Sequence, residues 1–159
     1  MYATLVDRVT GMLELSLQYA AAKLGETEAM SLLKKNNPDA LGYFRYRLAE
    51  QVGIFLGETS EHVLEVFIYP ETPDEEVTAT LPLTLIVYVE KYTAALESVV
   101  EALQNAVLAE YRKMLSPNTD SLSVFLNVCF VDEEDFLGRK GLAAAVGSLH
   151  APALKVWSR

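Results

Sequence analysis

The hydrophobic periodicity first changes at residue 58, and that change limits the folds open to this chain. Before it, apolar residues recur at three- and four-residue steps. After it come short runs of β-branched and aromatic residues. Tyr2, Leu5, Val6, Val9, Met12, Leu13, Ala20 and Leu24 make one stripe, which predicts a helix over 2–24 with Gly25 at its end. A second helix is predicted over 27–35, ended by Asn36-Asn37-Pro38. A third is predicted over 39–56, with the stripe Leu41, Phe44, Leu48, Val52 and Phe55 and with Gly57 after it.

Beyond residue 58, Val63–Tyr69 reads as a strand, and Leu83–Val89, almost wholly apolar, reads as a central strand covered on both faces. Between them lies a polar loop with two prolines and four acids, Pro70–Thr80. A helix over 93–115 follows, with a third strand over Ser123–Val131. Asp132 is placed to cap a short helix through Phe136. A last strand is expected over Ala153–Trp157. The order predicts an α+β fold: a helical hairpin or bundle over 1–57, then a small mixed β-sheet with helices on one side over 58–159.

Charge narrows the partners. Of the net −9, residues 1–60 hold seven acids against six bases, and residues 61–159 hold fifteen acids against seven bases. Such a surface repels nucleic acid and anionic lipid. No apolar run approaches the ~20 residues of a spanning helix, and Asp7, Arg8 and Glu14 interrupt the N-terminal pattern, unlike a signal peptide. The expectation is a soluble cytoplasmic protein that binds neither nucleic acid nor membrane. The single cysteine, Cys129, lies within an apolar strand and reads as a small core residue.

From about residue 58 onward the layout resembles the minimal nucleotidyltransferase domain of the DNA polymerase beta superfamily. The match rests on element order, on loop length, and on two stretches. Val128-Cys129-Phe130-Val131-Asp132-Glu133-Glu134-Asp135-Phe136 is similar to the family's third strand running into an acidic short helix. Gly141-Leu142-Ala143-Ala144-Ala145, before a short apolar stretch, is similar to its ending. The resemblance places the family's Gly-Ser turn on Pro70-Glu71. It places the two carboxylates of Asp-x-Asp on Pro82 and Thr84, and the third-strand Asp on Asn127.

Each of those positions lacks the required group. Two-metal nucleotidyl transfer needs convergent carboxylates around hard cations. Pro82, Thr84 and Asn127 supply no anionic oxygen, Pro70 removes an N–H donor, and Glu71 sets negative charge where a triphosphate would lie. A shift of register does not restore the carboxylates, because residues 81–89 and 121–131 contain no acid. The resemblance therefore implies a pseudoenzyme: a non-catalytic binding or scaffolding protein with no cofactor and no catalytic residue.

Other constellations are weaker. Glu71, Asp74, Glu75 and Glu76 crowd one loop, and Asp132, Glu133, Glu134 and Asp135 form a second acidic patch. Solvated acids and helix capping account for both, and the first lacks the glycine and ligand order of an EF-hand. Glu71, Asp74, Glu75, Asp132 and Glu133 remain the candidates for a relocated cation site. An enzyme using them, or a small acidic chaperone, stands as the alternative class. His62 and His150 share no local motif with Ser, Cys or Asp, and the chain has no nucleophile elbow, dinucleotide fingerprint or P-loop. Tyr43, Phe44 and Tyr46 cannot all face one narrow side of a helix, which marks them as interface candidates. A homodimer or a protein partner on the helices of residues 2–56 is the expected use of that surface.

Overall fold

The computed structural model describes residues 2–35, 37–69, 83–114, 126–132 and 154–159. They form helices α1 (Tyr2–Leu24), α2 (Glu26–Lys34), α3 (Pro38–Thr59) and α4 (Ala94–Met114), and strands β1 (Val63–Tyr69), β2 (Leu83–Val89), β3 (Leu126–Asp132) and β4 (Leu154–Ser158). The fold is mixed α+β, and it divides into two compact units. One holds α1, α2, α3 through Leu48 and α4 from Glu101. The other holds α3 from Ala49, the four strands and α4 through Val100.

In the helical unit, the α1 stripe buries Val9, Met12, Leu13 and Ala20. Gly25 separates α1 from α2 at φ 91°, where only glycine is unstrained. Its N–H closes α1 on the Ala21 carbonyl at 2.7 Å, while its own carbonyl accepts from Ala29 at 2.8 Å to open α2. Glu26 and Glu28 at the start of α2 and Lys34 at its end complement the helix dipole. Asn37 opens α3, accepting from Leu41 at 2.9 Å, and Pro38 takes the first helical position, where a missing N–H costs nothing. Phe44 of α3 meets Tyr111 of α4 at 5.7 Å between ring centroids. The buried Ser16 satisfies its hydroxyl by donating to the Met12 carbonyl at 2.7 Å.

In the second unit the sheet order is β3-β2-β1-β4. β2 runs parallel to β3 and antiparallel to β1, and β4 is antiparallel to β1. The five consecutive residues Leu85 to Val89 are all buried, as an interior strand covered on both faces requires. One face carries Val66 and Leu85, both close to Gly53 of α3. The other carries Phe67, Ile86 and Tyr88, with Leu64 and Val131 beside them.

Two expectations need correction. The first concerns Gly57, which does not end α3: the helix continues to Thr59. The reason is close approach. A Cβ on Gly57 would lie 2.1 Å from Cδ2 of Trp157, and one on Gly53 would lie 2.9 Å from Cγ2 of Val156. The two glycines, one turn apart, make a shallow trough for β4. A register shift opposite Val66 and Phe67 lets consecutive residues Val156 and Trp157 both enter it. The second concerns Cys129, which is exposed rather than in the core. It lies on β3, an end strand of the sheet among the described residues. Asp132, expected to cap a short helix, is the last residue of β3 and accepts a hydrogen bond from the backbone N–H of Tyr92. The helix expected after it lies outside the described residues.

Candidate functional site

Two places bear on function, one in each unit, and the first is the start of the parallel pair β2/β3. The register sets Leu83 beside Leu126, Thr84 beside Asn127 and Leu85 beside Val128. On the other side of β2, Thr84 is opposite Tyr69 of β1. Thr84 and Asn127 are thus direct neighbours across a parallel ladder, though far apart in sequence. That is the juxtaposition a pair of metal-holding carboxylates on these strands would need, and both residues are neutral. Pro70, Glu71 and Pro82 lie outside the described residues, as do Asp74, Glu75, Glu76 and Glu133 to Asp135.

The opposite end of the same strands is better furnished with polar groups. Beyond β2, the hydroxyl of Tyr92 donates to Oε2 of Glu97, in the first turn of α4. The Tyr92 ring packs on Phe130 of β3 at 5.3 Å between centroids. Hydrogen bonding to Glu97 raises the Tyr92 pKa above its usual 10.0, with desolvation and the charge of Glu97 adding to it. Thr93 starts α4, accepting from the Leu96 N–H. His62 lies 3.9 Å from Glu90, with both side chains more than half exposed. These contacts tie the β2–α4 turn to β3. Among the described residues no group of three or more His, Cys, Asp or Glu is arranged to hold a metal ion.

The second place is aromatic and lies on the helical unit. Tyr19 of α1 stacks with Tyr46 and meets Tyr43 edge-on, each at 6.4 Å between centroids. Nζ of Lys23, one turn along α1, lies 5.7 Å from the Tyr19 ring centroid. Tyr43 is 38% exposed and Leu15 is 42% exposed. The three residues singled out on α3 therefore divide. Phe44 is fully buried, Tyr46 is half-buried in the Tyr19 stack, and Tyr43 faces outward.

Sequence reasoning did not single out Tyr19, Leu15, Tyr92 or Glu97. For Leu15 and Tyr19 a signal existed: they are large apolar residues one turn apart that fall off the buried α1 stripe. For Tyr92 and Glu97 the local pattern carries no comparable sign.

No helix among the described residues is long and apolar enough to cross a membrane. No family model matches the chain, and neither a curated protein nor a solved structure matches it.

Proposed function

We propose that this chain is a non-catalytic binding or scaffolding protein on a degenerate nucleotidyltransferase-like fold, with its partner surface on α1 and α3. The observation that carries the reading is the register of Thr84 with Asn127. The resemblance assigns to these residues two carboxylates that must converge on metal. The strands bring the positions together, and neutral residues occupy them. Thr84 and Asn127 leave a cation and a triphosphate without the anionic oxygens that two-metal transfer depends on.

The aromatic patch supports the binding half of the reading. Tyrosine supplies contact area at low cost in side-chain freedom and is enriched at protein interfaces. Tyr43, Tyr19 and Leu15 offer that kind of surface to a protein partner or a second copy of the chain.

The test is thermal stability with Mg²⁺ or Mn²⁺ plus each nucleoside triphosphate, paired with sedimentation to read self-association. A ligand at 100 times its Kd stabilises a fold by about 2.7 kcal/mol, a melting shift of roughly 5–10 °C at this length. No shift is expected. A shift that requires metal and nucleotide together overturns the non-catalytic reading.

A further inference from the structure

We draw no further inference here: the strongest candidate, the exposed aromatic patch where Leu15 and Tyr19 of α1 meet Tyr43 of α3, already belongs to the proposed function, and nothing in the structure shows what covers it.

Discussion

The indole of Trp157 lies directly on the backbone of Gly57, leaving no space for even one methyl group. A Cβ at Gly57 would fall within 2.1–2.5 Å of three indole carbons. Gly57→Ala must therefore displace either the ring or the last turns of α3. We expect a loss of about 1–3 kcal/mol, the usual cost of overpacking. Two other helical glycines should behave oppositely. Gly11 and Gly42 have nothing within 4 Å of a Cβ, so Gly11→Ala and Gly42→Ala should each stabilise by roughly 0.5–1 kcal/mol through helix propensity. Urea midpoints of the three variants check both signs.

Arg159 closes the same corner. Its Nη2 donates to the carbonyls of Gly57 at 3.3 Å and Ser60 at 2.7 Å, and its Nε donates to Val63 at 3.1 Å. The guanidinium also lies 5.2 Å from the Trp157 ring centroid. The end of α3 and the start of β1 thus receive three donors from one planar group. Arg159→Ala should cost about 1 kcal/mol, and Arg159→Lys should recover only part of it, because an ammonium cannot reproduce the fork. If lysine restores full stability, the guanidinium geometry is immaterial and the assignment fails.

Tyr111 sets an alkaline limit on the helical unit. Burial pushes its pKa up to about 12 from the usual 10.0, and its hydroxyl donates to the Leu33 carbonyl at 3.5 Å. The fold keeps the phenol neutral, so the unfolded chain gives up the proton first. The stabilisation from Tyr111 is complete below pH 10 and declines as pH rises from 10 to 12, by at most about 2–3 kcal/mol. Chemical unfolding across pH 8–12 should show this decline in the wild type and a shallower one in Tyr111→Phe. Equal slopes in the two proteins would place the titration elsewhere.

Tyr92 offers a spectroscopic handle. The Glu97 carboxylate accepts a hydrogen bond from its hydroxyl and raises its pKa. Glu97→Gln should lower the pH at which Tyr92 ionises, bringing it back toward the ordinary tyrosine value. An NMR titration of the tyrosine ring carbons resolves Tyr92 from the rest. An unchanged midpoint would mean that the hydrogen bond does not persist in solution.

Phe44 and Tyr43, adjacent on α3, should separate folding from binding. Phe44 is fully buried, and Phe44→Ala should cost about 3–5 kcal/mol. Tyr43→Ala, at a part-exposed ring that meets Tyr19 edge-on, should cost far less, about 1 kcal/mol. On the proposed function, Tyr43→Ala should instead weaken self-association or partner capture. A Tyr43→Ala protein that associates like the wild type would remove this ring from the partner surface.

Much of the fold was readable from local pattern, and the parts that were not share one physical cause. Val63–Tyr69 and Leu83–Val89 occupy the residues expected of them, because β-branched and aromatic runs bounded by polar residues are self-defining. The α1 stripe is equally plain. Gly57 was expected just past the helix because no local signal reveals that a distant indole needs its missing side chain. Cys129 looked buried because an apolar run does not say whether its strand is interior or at the sheet's end. The neutral residues at Thr84 and Asn127 were legible, but their placement side by side came only from the register. Phe44 lies on the apolar stripe expected for α3 and Tyr43 off it, and their burial follows that division.

The glycine trough of α3 also sets a timetable. Its occupants are made long after it, as the neighbouring Arg159 shows: 102 positions separate Arg159 from Gly57, and 96 separate it from Val63. At ordinary elongation rates the trough stands unfilled for roughly 5–20 s on the ribosome. During that interval β1 has a free side where β4 will pair. Contacts this distant along the chain also slow folding, since the loop must close before any packing rewards it. A nascent chain of this protein therefore spends its vulnerable period with one sheet edge and one helix face uncovered, and both are covered by the same late-arriving strand.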